Sequence, residues 1–189
     1  MPLRLVFAGS PDAAVPSLRA LAESAHDVVT VITREDSPQG RRAVLTPTPV
    51  AVEADRLGVP VIRANRLAGK ATETVQALAP DLGVIVAYGG LVREPLLSTP
   101  RLGWINLHFS LLPRWRGAAP VQRAIMAGDD ITGASVFQLV PELDAGDVFG
   151  RVKAERHRQA RVSGLDDAVI LFAGAFRVVA QLLQVETGG

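Results

Sequence analysis

Short apolar runs separated by amphipathic stretches constrain the fold of this chain more than any other feature. Leu3–Ala8 is rich in β-formers, ends at Gly9-Ser10-Pro11, and is followed by a helical spacing of Val15, Leu18 and Leu21–Ala22. Val28–Ile32 is a second such run. Continuous apolar runs of this length suit strands buried on both faces. Parallel strands need a crossover between them, so the rhythm predicts a parallel sheet covered by helices. The pattern resumes with a helix from about Pro49 to Leu57, a strand at Val59–Ile62, a helix to about Leu78, and a strong strand at Leu82–Ala87 that Tyr88-Gly89-Gly90 terminates. Trp104–His108 reads as the next strand; Gly117–Pro120 then leads into a helix through Val121–Met126, closed by Gly128. Ala134–Val140 and Val148–Val152 flank Pro141–Asp147 at a spacing that suits a hairpin. Leu165–Val185 has helical periodicity. The expected architecture is an open α/β sheet, mostly parallel, with an antiparallel pair late in the chain.

One stretch breaks the rhythm. Arg34–Pro49 holds Ser37-Pro38-Gln39-Gly40, Arg41, Arg42 and Thr46-Pro47-Thr48-Pro49, and shows no periodicity. A loop of this length inside a compact domain is uncommon and is usually functional or disordered. The 189 residues suffice for one large domain or two small ones, and 48% apolar with 21% charged residues is an ordinary globular profile. No run approaches the ~20 apolar residues that span a bilayer. The opening MPLRLVFAGS lacks the length and cleavage site of a secretory signal. Cysteine is absent, which excludes thiolate metal sites and a cysteine nucleophile, and a cytoplasmic protein is expected. The net charge of +1 predicts no general affinity for nucleic acid. Of the basic groups at Arg41–Arg42 and Arg151–Arg161, the second reads as a solvated surface.

In open α/β sheets ligands bind beyond the carboxyl ends of the strands. Gly9-Ser10-Pro11 lacks the spaced glycines of a dinucleotide fingerprint, and no Gly-Lys-Ser/Thr occurs, so nucleotide binding in the Rossmann manner is not expected. The stretch from Asn106 to Pro120 is the richest in chemistry. Asn106 and His108, two apart on a strand, project to the same face. An amide donor beside an imidazole can stabilise an oxyanion and move a proton. A lone histidine at a strand end is more often simply hydrogen-bonded, but the chain has only two Asn and three His, and one of each meets here. Leu143-Asp144-Ala145-Gly146-Asp147 supplies two acids. Both suit turn formation, and Asp147 fits that role; Asp144, if turned inward, would orient the imidazole. No third ligand type near His108 points to zinc, and no metal is expected.

Asn106-Leu107-His108-Phe109-Ser110-Leu111-Leu112-Pro113, followed by Leu143-Asp144-Ala145-Gly146-Asp147, resembles the signature of the 10-formyltetrahydrofolate-dependent formyltransferases. Val6–Pro11 with Val15–Leu18, Val86-Ala87-Tyr88-Gly89-Gly90, and Arg114–Pro120 look specifically like the methionyl-tRNA formyltransferases, and the likeness runs from Leu3 to about Gly150. The resemblance implies a Rossmann-like formyltransferase fold, with residues 1–189 as its catalytic domain and the family's C-terminal tRNA-binding domain absent. It implies attack by an amine on the formyl carbon through a tetrahedral intermediate, with Asn106 on the oxyanion, His108 in proton transfer and Asp144 paired with His108. It places 10-formyltetrahydrofolate near Val86, Tyr88, Gly89, Gly90, Leu91, Ser110, Leu111, Leu112, Pro113 and the Pro141–Asp144 loop, where turn backbone suits a pterin edge. It gives Arg41 and Arg42 contacts to initiator methionyl-tRNA. A monomer with no membrane partner is expected. Phe109 departs from the family's small residue, Ala43 and Val44 stand at positions that are often basic, and Glu155–Gly164 also departs from the pattern. The alternatives are formylation of a small amine (an amino-sugar nucleotide or phosphoribosylglycinamide), or a folate- or RNA-binding module with little activity.

Overall fold

The computed structural model describes residues 1–155, which fall in two compact units, one of residues 1–104 and one beginning at Ile105. The expected helix at Leu165–Val185 and all of Glu155–Gly164 after its first residue lie outside the described residues. So does the Arg151–Arg161 group beyond Glu155.

In the first unit the elements run β1 (Arg4–Gly9), α1 (Val15–Ala22), β2 (Asp27–Thr33), β3 (Ser37–Gln39), β4 (Val44–Thr46), α2 (Pro49–Leu57), β5 (Val61–Arg63), α3 (Lys70–Ala77) and β6 (Leu82–Val86). Four strands form a parallel sheet in the order β5-β2-β1-β6, with Phe7 opposite Val31 on one side and Val84 on the other. Strand β1 lies inside, and Leu5, Val6, Phe7 and Ala8 are inaccessible to solvent. Burying a side chain such as Leu5 or Phe7 contributes about 1.5–3 kcal/mol, which makes this run the anchor of the sheet. Helix α2 shows how local sequence sets an element. Thr48 caps it through its hydroxyl, which accepts from the Ala51 N–H at 3.1 Å, Pro49 occupies the first turn, and Gly58 ends it at φ 71°.

Arg34–Pro49 is not structureless. Its β3 and β4 pair antiparallel as an isolated hairpin, with Ser37 opposite Thr46 and Gln39 opposite Val44. Both strands are exposed throughout, so neither face is required to be apolar and no alternation marks them in the sequence.

The second unit contains β7 (Trp104–His108, its first residue being the last of the first unit), α4 (Pro120–Met126), β8 (Ile131–Gln138) and β9 (Val148–Glu155). The order is β7-β8-β9 and both ladders are antiparallel. The expected late hairpin is present as β8 and β9, but the antiparallel set has a third member, β7. A buried apolar run reads alike in either direction, and only pairing sets the sense. Strand β8 also begins at Ile131, three residues earlier than its apolar run. Among the described residues, no helix is long and apolar enough to cross a membrane.

Candidate active site

Asn106 and His108 occupy one face of β7, opposite Phe137 and Ser135 of β8. His108 is buried and Asn106 is half-buried. Phe137 meets the imidazole edge-on, with centroids 6.4 Å apart at 87°, which fixes the plane of the ring. His108 Nε2 lies 2.9 Å from the Trp115 carbonyl. A carbonyl only accepts, so Nε2 carries a proton, and the tautomer this selects for a neutral ring has a bare Nδ1. Among the described residues the Asn106 amide has no side-chain hydrogen-bond partner, which leaves its donors available.

Asp144 is turned inward, at φ 45° and 9% exposed. Its Oδ2 stands 3.7 Å from His108 Nδ1, beyond a hydrogen bond but close enough for charge to act. The same oxygen accepts from the Gly117 N–H at 2.7 Å. Asp147 is exposed, and its carbonyl accepts from the Gln138 N–H at 2.9 Å, the closing bond of the loop. Gly146 is required there, because a Cβ would overlap the Gln138 carbonyl. One loop thus separates the two acids into an inward group and a turn former.

The residues proposed from the resemblance to meet folate are less open than turn chemistry implies. In the second unit Ser110 and Leu112 are buried. Ser110 Oγ donates to the Arg114 carbonyl at 2.6 Å, and the Ser110 carbonyl accepts from Ser135 Oγ at 2.7 Å. The Leu112 N–H donates to Ser135 Oγ at 3.0 Å, the Leu112 carbonyl accepts from Arg151 Nε at 3.2 Å, and the Leu111 carbonyl accepts from the Arg114 N–H at 3.1 Å. Each of these carbonyls keeps a second lone pair for a ligand. Leu111 is half-buried and Pro113 exposed.

In the first unit Val86 is buried, Leu91 is exposed, and Tyr88 is held in the interior with its hydroxyl donating to the Ala64 carbonyl at 2.6 Å. Burial pushes the Tyr88 phenol up, keeping it protonated as that donor. The Tyr88 carbonyl accepts from Ser10 Oγ at 3.1 Å and the Gly89 carbonyl from Arg34 Nη1 at 2.9 Å. Gly89 takes φ 80°, and a Cβ on Gly90 would press on the Tyr88 ring. Arg41 and Arg42 are exposed in the turn that joins β3 to β4.

Sequence reasoning missed Ser135, Trp115, Gly117 and Asp129. Ser135 has a sequence signal, a small polar residue between the apolar Ala134 and Val136-Phe137. The others do not, since their contacts depend on a turn with Trp115 at φ 60° and Gly117 at φ 83°. Among the described residues, no group of three or more His, Cys, Asp or Glu converges to hold a metal ion.

An open α/β sheet carrying an amide, an imidazole and a carboxylate in this order leads to one class. The chain belongs to the Formyl transferase family, which it matches over residues 3–169. The methionyl-tRNA formyltransferase of Leifsonia xyli subsp. xyli is 69% identical over 151 residues, covering 80% of this chain and 50% of that protein. The methionyl-tRNA formyltransferase of Arthrobacter sp. (strain FB24) is 52% identical over 186 residues, 98% of this chain and 60% of that one. The chain spans about half the length of the curated relatives it matches. Among solved structures, glycinamide ribonucleotide transformylase 1 from Symbiobacterium toebii matches with a TM-score of 0.77 at 21% identity, over 95% of this chain and 85% of that one. That likeness shows the Rossmann-like α/β fold of the family.

Proposed function

We propose that this chain carries the catalytic domain of a methionyl-tRNA formyltransferase, which moves a formyl group from 10-formyltetrahydrofolate to the amino group of initiator methionyl-tRNA. The observation that carries the reading is the buried His108–Asp144 pair at 3.7 Å, with Asn106 on the same strand face as the imidazole. The names of the relatives support the substrate.

The folate supplies a formyl group bound to a nitrogen that can leave. When the amine attacks the formyl carbon, negative charge gathers on the formyl oxygen, and the free Asn106 amide donates to it. One such donor is worth about 10²–10³ in rate. His108 Nδ1, bare because Nε2–H is committed to Trp115, takes the proton from the attacking amine. The Asp144 carboxylate stabilises the imidazolium so formed. Return of that proton to the departing nitrogen completes the exchange: one C–N bond forms, one breaks, and His108 is neutral again. In this reading Ser110–Pro113 and the loop before Asp144 face the folate through the remaining carbonyl lone pairs, Val86–Leu91 adds backbone contacts, and Arg41 and Arg42 meet tRNA phosphates. A soluble folate and a tRNA of translation are met in the cytoplasm, where on this reading the protein acts, and we take it to act as a monomer.

The test is an assay with 10-formyltetrahydrofolate and charged initiator tRNA. His108→Ala is expected to lower kcat by about 10²–10⁴-fold while folate binding is retained. Formylation of an amino-sugar nucleotide or phosphoribosylglycinamide, with methionyl-tRNA untouched, overturns the substrate. Folate binding by the wild type without any turnover overturns the enzyme reading in favour of a binding module.

A further inference from the structure

We infer that Asp129 is a positioning residue for the His108–Asp144 pair, acting through the turn from Arg114 to Gly117. That turn holds residues in a backbone region that side chains rarely adopt, with Trp115 at φ 60° and Ala119, two residues past Gly117, at φ 54°. Its inner side serves the site: the Trp115 carbonyl receives His108 Nε2–H at 2.9 Å and the Gly117 N–H holds Asp144 at 2.7 Å. Its outer side is clamped by one carboxylate. Asp129 accepts from Arg114 Nε at 2.8 Å, from Arg114 Nη2 at 2.6 Å and from Trp115 Nε1 at 2.8 Å. The Arg114 guanidinium also lies 4.8 Å over the Trp115 ring, so ring and cation are gripped together. Asp129 is itself anchored, its N–H donating to the Ala124 carbonyl of α4 at 3.0 Å, and its side chain is only 14% exposed.

The consequence is chemical. With Asp129 in place the Trp115 carbonyl stays on Nε2, and the neutral imidazole keeps its lone pair at Nδ1 beside Asp144. Without the clamp the turn relaxes, the carbonyl leaves, and the ring takes up the Nδ1–H form, which cannot accept a proton at that atom. Asp129 therefore selects the tautomer without touching a reacting group.

The kinetic arm of the test rests on the formyl-transfer reading, whereas the spectroscopic arm does not. Histidine 15N shifts of the full chain, recorded under alkaline conditions where imidazole is neutral, report the tautomer. His108 is assigned by its loss in His108→Gln. The wild type is expected to show His108 wholly as the Nε2–H form, and Asp129→Asn a mixture of both forms. In the assay, Asp129→Asn is expected to lower kcat about 10–100-fold with KM for 10-formyltetrahydrofolate changed less than about twofold. Asp129→Glu, which keeps the carboxylate, recovers part of kcat. Trp115→Phe removes one donor alone, and gives a smaller shift of the same kind if Asp129→Asn fails to fold. A wild-type ring protonated at Nδ1, or variants with unchanged tautomer, overturn the inference. If the wild type shows no formyl transfer but Asp129→Asn still mixes the tautomers, the functional reading has failed and the positioning role stands.

Discussion

Asp144 has a left-handed backbone, which an aspartate tolerates better than most side chains, and its carboxylate gains the Gly117 N–H in return. The buried acid is therefore satisfied before any substrate arrives, and its remaining lone pairs face His108. Glu53 is a buried acid whose partners set its titration. It is 5% exposed and accepts from Arg19 at 2.7 and 2.9 Å and from Arg56 at 2.6 Å, joining α1 to α2. Hydrogen bonds from Arg19 and then Arg56 lower its pKa from 4.5 to about 2. Because the folded value is the depressed one, the stabilisation is present in full above pH 4.5 and is lost as pH falls through about 2. Glu53→Gln is expected to lower the thermal midpoint by about 2–4 °C at neutral pH. The difference between wild type and variant should shrink between pH 4.5 and 2, measured by urea unfolding across that range.

At the scale of elements, the site depends on two connections. The turn after β7 brings the Trp115 carbonyl to His108, and the loop between β8 and β9 brings Asp144 to the same ring. Gly146 decides whether that loop can close against Gln138. Gly146→Ala forces a methyl into the Gln138 carbonyl, and overpacking of this kind costs about 1–3 kcal/mol. The expected outcome is a lower denaturation midpoint and, on the proposed function, reduced formyl transfer, because Asp144 sits two residues away. An active variant of unchanged stability would show that the loop opens without disturbing Asp144. The hairpin of β3 and β4 contrasts with this loop. It is exposed on both faces, with Val44 59% and Leu45 65% accessible, so its geometry is locally closed and its ends alone tie it to the sheet. The Thr33 and Thr48 hydroxyls, 2.6 Å apart, fasten those two ends.

For the molecule as a whole, a net charge of +1 leaves little long-range attraction for a polyanion, so nucleic-acid affinity has to come from local cations. On the proposed function those cations are Arg41 and Arg42. Replacing both with Ala is expected to raise KM for methionyl-tRNA. It should also flatten the dependence of log affinity on log salt by about 1.4, the value for two phosphate contacts on single-stranded nucleic acid. Both side chains are exposed, so stability should change by less than about 0.5 kcal/mol, measured by denaturant titration. An unchanged salt slope would remove these arginines from the tRNA contact.

The strands Leu3–Ala8 and Leu82–Ala87 were legible in the sequence because burial on both faces imposes a continuous apolar run. The pairing of Asn106 with His108 was legible because a strand repeats every two residues. The hairpin within Arg34–Pro49 left no pattern, since nothing covers either of its faces. The antiparallel pairing of β7 with β8 left no pattern either, because the sense of a pair belongs to both strands. Local periodicity and burial suffice for the set of buried strands and for the common face of Asn106 and His108. Tertiary contacts alone turn Asp144 inward and leave Asp147 exposed, set the Trp115 carbonyl on His108, and bring Asp129 to Arg114 and the Trp115 indole. Those outcomes depend on left-handed turns and on hydrogen bonds between residues 7 to 27 positions apart, where no strand or helix periodicity reaches.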